Sequence, residues 1–204
     1  MKKDRGDNRG LSLVELVVVI AIMAVMGAFF FLGSALLAGQ YVKECANDIS
    51  AALNKEKNYA LTRSAMIDCY MELVYDTDAY YVRYYQPKNA IATGKDAGDN
   101  FNGDDWILAE EEKVGKSNVN VVCTMKNNDG SGDSTVPIKT GQSVKFVYDR
   151  ISGAFKPAVV SDGGTSGIES VSTVFCTEIT ISGSRTYKIE IYSATGKHVL
   201  TRES

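Results

Sequence analysis

Histidine occurs once in these 204 residues, as His198, and that scarcity removes much hydrolytic chemistry. A Ser-His-Asp site would have to use this one ring. It follows a turn near the C-terminus, where exposure is expected, and no G-x-S-x-G accompanies it. No H-E-x-x-H is present, and no glycine-rich phosphate loop follows a strand. The carboxylate pair Asp104-Asp105 and the run Glu110-Glu111-Glu112 read as solvated surface rather than acid–base pairs. The expectation is a chain that is not an enzyme. Cys45, Cys69, Cys123 and Cys176 form no C-x-x-C, which argues against zinc and thioredoxin-like readings. There is no basic patch, the net charge is −3, and no direct nucleic-acid binding is predicted. Proline is nearly missing as well. The first of three is Pro87, so nothing before it breaks a helix by lacking an N–H.

Against these absences stands one long apolar run. Gly10 to Leu16 reads Gly-Leu-Ser-Leu-Val-Glu-Leu, and Val17 to Ala38 carries no charge. From Leu16 onward this is about 23 residues, where a helix needs ~20 to cross the bilayer hydrocarbon. A transmembrane helix over about 16–38 is therefore expected. Two residues set it apart from a plain anchor. Glu15 is a lone carboxylate at its entrance, where burial costs ~2.5–3.5 kcal/mol unless headgroups solvate it or a cation pairs with it. Gly10 marks the end of a leader carrying Lys2, Lys3, Arg5 and Arg9 against Asp4 and Asp7. Basic residues before a span stay in the cytoplasm, which places the rest of the chain outside it. A secretory signal peptide cut in the small-residue stretch Ser34 to Ala38 is the competing reading. The apolar run exceeds the usual ~7–15 residues of such peptides, and Gly10 and Glu15 would then have no role.

Gly10-Leu11-Ser12-Leu13-Val14-Glu15-Leu16 and the Val/Ile/Ala/Met run after it resemble the type IV prepilin signal. The resemblance implies a cut by prepilin peptidase between Gly10 and Leu11, on the cytoplasmic side, and N-methylation of Leu11. It implies that Glu15 pairs with the N-terminal amine of a neighbouring subunit during filament assembly. The implied partners are other pilin or pseudopilin subunits, the peptidase, a membrane assembly platform, and membrane lipid before assembly. Leu11 and Ser12 depart mildly from the family, in which phenylalanine or methionine and then threonine are common. Losing the leader takes the chain from −3 to about −5. Ala21, Ala24, Gly27, Ala28 and Gly33 would let neighbouring helices approach closely.

Beyond Gln40 the pattern is amphipathic, with Val42, Cys45, Ile49, Leu53 and Ala60 on one helical stripe. One continuous helix over 11–64, ~80 Å long, is expected to pack its outer half against a head spanning 65–204. A break at Gly39-Gln40 is the alternative. From Ile67 the period becomes two. Strands are predicted over Ile67–Tyr75, Tyr80–Tyr85, Trp106–Leu108, Val119–Cys123, Val144–Tyr148, Phe175–Ile181, Tyr187–Tyr192 and His198–Leu200. Turns are read at Asp76-Thr77-Asp78, Ser182-Gly183-Ser184 and Ala194-Thr195-Gly196, and loops over Asn127–Ser134 and Ser161–Ser166. The fold class is α+β, a long helix on an antiparallel β-sandwich-like head. Tyr80, Tyr81, Tyr84 and Tyr85 read as half-buried strand residues before they read as a binding surface.

The helix end Asn47–Arg63, the strand after it, Lys145-Phe146-Val147-Tyr148 and the closing Ile189–Lys197 run are similar in order to the GspH/FimT group of minor pilins and pseudopilins. A minor subunit of a type IV pilus, competence or type II secretion filament is thereby implied. The other class is a single-pass membrane-anchored extracellular protein that binds a ligand and does not assemble. No cofactor is expected. Asp96, Asp99, Asn100, Asn102, Asp104 and Asp105 could offer oxygens to calcium, but EF-hand spacing is not met. On one helix Cys45 stands ~30 Å or more from Cys69, so that pair is disfavoured. A bridge among Cys69, Cys123 and Cys176 and a full set of free thiols both remain open.

Overall fold

A continuous helix forms where proline is absent and apolar residues persist. In a computed structural model, helix α1 covers Leu13–Thr62 without interruption at Gly39-Gln40. The structure describes residues 13–62, 69–87, 106–127, 133–149, 151–156, 159–161 and 174–203, and the side chains of 30–38, 87, 127, 159–161 and 174 are outside that description. The chain divides into two compact units, Met1–Ala38 and Gly39–Ser204. In the first, every described side chain from Leu13 to Phe29 is exposed, on all sides of the helix. Among the described residues no helix is long and apolar enough to cross a membrane.

The second unit is α+β. Its helical part buries Val42, Cys45, Ala46, Ile49, Ala52, Leu53, Glu56 and Ala60, a stripe with steps of one, three and four. Gly39 is not a break. A Cβ there would come within 3.0 Å of the Arg185 Nε, so the missing side chain makes room for that guanidinium.

Ten strands follow: β1 Tyr70–Asp76, β2 Ala79–Pro87, β3 Trp106–Lys116, β4 Asn120–Asn127, β5 Asp133–Pro137, β6 Ser143–Val147, β7 Val159–Ser161, β8 Val174–Ser182, β9 Thr186–Tyr192 and β10 Lys197–Glu203. They form two five-stranded sheets, ordered β3-β2-β1-β6-β7 and β10-β9-β8-β4-β5, with every neighbouring pair antiparallel. The chain leaves the first sheet after β3, lays down β4 and β5 in the second, and returns as β6 beside β1. Neither sheet is therefore complete without the other. Both sheets and the helix feed one buried cluster, with Leu53 from α1, Leu73 and Phe146 from the first sheet, and Val121, Ile179 and Ile189 from the second. The Val121 N–H donates to the Tyr80 hydroxyl at 3.3 Å, tying β4 to β2.

The β1–β2 turn holds Thr77 and Asp78 at φ 47° and 66°, the paired positive φ that matches the twist of a two-residue hairpin. The threonine is strained there, because its β-branch crowds the left-handed region. At the β9–β10 turn Gly196 has φ 59°, and any Cβ would collide with the Gly153 carbonyl oxygen. Glycine is required on both grounds.

Some expectations need correcting. β3 extends to Lys116 and carries Glu110, Glu111 and Glu112 on an edge strand, where a stop after Leu108 was expected. The predicted loop Asn127–Ser134 ends as β5, and β7 was not expected at all. Both are short edge strands, defined by a partner's hydrogen bonds more than by their own pattern. His198, expected at the surface, is half-buried against the helix.

Candidate functional site

Glu15 lies in the first turn of α1, where a carboxylate complements the positive end of the helix dipole. Its neighbours Leu13, Val14, Leu16 and Val17 are all exposed, Leu13 at 79%. A lone anion is thus set in an uncovered apolar collar. Such a helix, apolar all round, calls for an apolar surrounding, whether lipid or other helices. At a lipid interface headgroups and water can solvate Glu15, whereas among packed helices it needs a cationic partner to offset its desolvation. Gly10 and Leu11, the proposed cut site and modified residue, lie outside the described residues.

A cleft of ≈190 Å³ lies between α1 and β3, lined by Tyr41, Glu44, Cys45, Asp48 and the stretch Lys113 to Lys116. It is smaller than the ~300–1,000 Å³ typical of ligand pockets. Burial, with Glu44 and Glu112 nearby, raises the Asp48 pKa. The Lys116 ammonium sits 3.8 Å from the centre of the Tyr41 ring. Burial, aided by Asp48 and Glu44, pushes the Cys45 thiol up to about 12, so it is no nucleophile at neutral pH. Among the described residues no group of three or more His, Cys, Asp or Glu could hold a metal ion. The residues considered for calcium, Asp96 to Asp105, lie outside the described ones.

What the head does contain is a set of polar fastenings between helix and sheets. Lys55 meets Glu110 at 2.8 Å and Glu112 at 2.5 Å on β3, with its ammonium 4.4 Å from the Tyr84 ring centre. Burial works against the Lys55 charge, but the hydrogen bonds it donates to both glutamates outweigh it and raise its pKa. On the other flank, the His198 Nε2 lies 3.0 Å from the Ser50 carbonyl oxygen and 3.1 Å from its hydroxyl. A carbonyl only accepts, so Nε2 carries the proton. Burial lowers the His198 pKa against the opposing effect of that hydrogen bond, and Lys57 adds to the lowering.

Sequence reasoning missed three members of the buried stripe, Ala46, Ala52 and the charged Glu56. Glu56 is 1% exposed and occupies the step between Leu53 and Ala60. Its charge helps raise the pKa of the Tyr84 and Tyr148 hydroxyls, after burial itself. The signal was a carboxylate on the apolar face, visible once the stripe is continued at its own step. The tyrosines of β2 divide as strand residues should. Tyr80 and Tyr84 are buried, and Tyr81 and Tyr85 are half-buried on the opposite face. Tyr85 stacks on Tyr70 at 4.6 Å between centroids. They are packing residues more than a displayed surface.

The comparisons with known proteins reach only the N-terminal end. Residues 5–31 match a family model described as the prokaryotic N-terminal methylation motif. The chain matches no curated protein and no solved structure. The matched segment contains Gly10, Leu11 and Glu15, and it ends within α1.

Proposed function

We propose that this chain is a structural subunit of a type IV pilin-like or pseudopilin filament, a minor one, and that it has no catalytic activity. The methylation motif over residues 5–31 carries this reading. The uncovered apolar collar around Glu15 supports it, because that surface needs a cover and the carboxylate needs a cation. In the proposed sequence of events, prepilin peptidase cuts after Gly10 and the Leu11 amine is methylated. Before assembly the run to Ala38 spans the membrane, with the leader in the cytoplasm and the head outside. During assembly a platform in the membrane moves the helix from lipid into a core of like helices. The Leu11 amine of a neighbour then replaces headgroups and water as the partner of Glu15, and this pairing sets the axial register. The order of helix and strands in the head supports the minor-subunit assignment.

Intact mass and N-terminal analysis of the native membrane-associated protein test this. A chain beginning at Leu11 with one added methyl, and lost in Gly10→Ala, is the expected result. An uncut chain beside an active peptidase would favour a membrane-anchored binding protein, and a start near residue 39 would favour an ordinary secreted one. For assembly, Glu15→Gln should leave processing intact and reduce incorporation into sheared filaments at least tenfold. Unchanged incorporation of Glu15→Gln would overturn the role given to the carboxylate.

A further inference from the structure

The four cysteines of this chain are all buried, but they are not equivalent. Cys45 packs on the helix against β3, where a Cβ at Gly115 would come within 2.8 Å of its sulfur. Cys69 precedes β1 in the first sheet. Cys123 and Cys176 lie on the paired strands β4 and β8 of the second.

An irregularity in that pairing brings the last two together. Cys123 pairs with Ile179 and Thr124 with Glu178, but Met125 pairs with Cys176, so the register slips between Thr124 and Met125. A slip of this kind is a β-bulge. In a regular strand Cys176 and Ile179, three apart, would point to opposite faces. Here both are buried, at 4% and 0%, on the face that also carries Cys123 and Met125 at 0% and 1%. The extra residue has turned Cys176 inward, onto the diagonal from Cys123. The Cys176 thiol donates to the Glu178 carbonyl oxygen at 3.6 Å, and its interaction with Cys123, together with burial, holds the Cys123 thiol well above its usual pKa.

We infer that Cys123 and Cys176 form a cross-strand disulfide in the mature protein outside the cytoplasm, while Cys45 and Cys69 remain thiols. The location rests on the filament reading above, and the choice of partners rests on the bulge alone. The oxidant is a disulfide, carried by a protein of dithiol–disulfide exchange or by a small thiol. One cysteine attacks it as thiolate, giving a mixed disulfide and releasing one thiol. The other cysteine then attacks the mixed bond and releases the second. The pair loses two protons and two electrons, and the oxidant is reduced to two thiols. Because both sulfurs are buried once β4 and β8 have joined, oxidation is fastest during folding, before the strands close.

The test is to unfold the full chain in detergent and refold it across a series of reduced-to-oxidised glutathione ratios. Remaining thiols are then alkylated and the unreduced peptides mapped by mass. The expected product is lighter by two hydrogens, with Cys123 linked to Cys176 and alkylation only at Cys45 and Cys69. Cys123→Ser should abolish the bond without a new one forming. Four alkylated cysteines at the oxidising end would overturn the proposal, and so would a bond using Cys45 or Cys69. The same mapping of native material, alkylated at lysis, separates the two premises. A linked pair supports both. Four thiols in native protein, beside a bond that forms on refolding, would overturn the placement outside the cytoplasm and not the pairing.

Discussion

His198 is neutral by preference in the folded chain, because burial and Lys57 both disfavour its charge. In the unfolded chain it titrates near 6.5. As pH falls through about that value, the unfolded state takes up a proton that the folded state resists, and stability declines. Above it, both states are neutral and the residue contributes no pH dependence. The melting temperature of the chain in detergent should therefore fall between about pH 7 and about pH 5, and His198→Gln should flatten that slope while keeping a hydrogen bond to Ser50. An unchanged slope would mean that other groups carry it. The sequence reading of His198 as following a turn holds, but its reading as exposed does not, because the ring is half-buried. Burial of a residue in a terminal strand depends on what packs over it, here the Ser50 turn of the helix, and that neighbour is far away in sequence. Glu15 was legible because its signal is entirely local. Glu56 was legible in principle, through the step of its stripe.

At the scale of the element, α1 divides its work by pattern. Up to Phe29 it is exposed all round, and beyond Gly39 it is buried along one stripe. Leu53, fully buried among side chains from both sheets, should cost ~2–5 kcal/mol when cut to alanine, read as a shift in urea midpoint. Exposed Lys43→Ala should stay within about 0.5 kcal/mol. Equal effects would mean that the helix is not seated as described. This helix, the β1–β2 hairpin and the β8–β9–β10 meander were visible in the sequence, because periods of 3.6 and two write themselves into neighbouring residues. The bulge in β8 was not. Straight alternation there would put Phe175 inside, yet the phenylalanine is half-buried and Cys176 is within. Bulges belong to a strand pair, and single-strand patterns do not contain them. If the pair Cys123–Cys176 is bonded, closing a loop of that length should stabilise the head by up to about 4 kcal/mol.

For the molecule as a whole, the open question of any two-sheet head is what its edges meet. β3 is one such edge. It is long, and two register irregularities against β2 distort its line. It also carries Glu110, Glu111 and Glu112, held in place by Lys55 and Arg83. Unpaired edges invite another strand, and charge with irregular backbone discourages it. Replacing the three glutamates with threonine should make the chain self-associate with rising concentration, as read by light scattering. Lys55→Gln, which breaks ion pairs but keeps the edge charged, should not. A subunit spends its working life in a crowd. If these heads are strung along a filament, each holds its neighbours at a local concentration on the order of millimolar, permanently. Even a weak tendency for edge to meet edge would there become a standing bond, stiffening the fibre or knotting separate fibres together. The glutamate edge then serves less to fold one copy than to let many copies stand side by side as strangers.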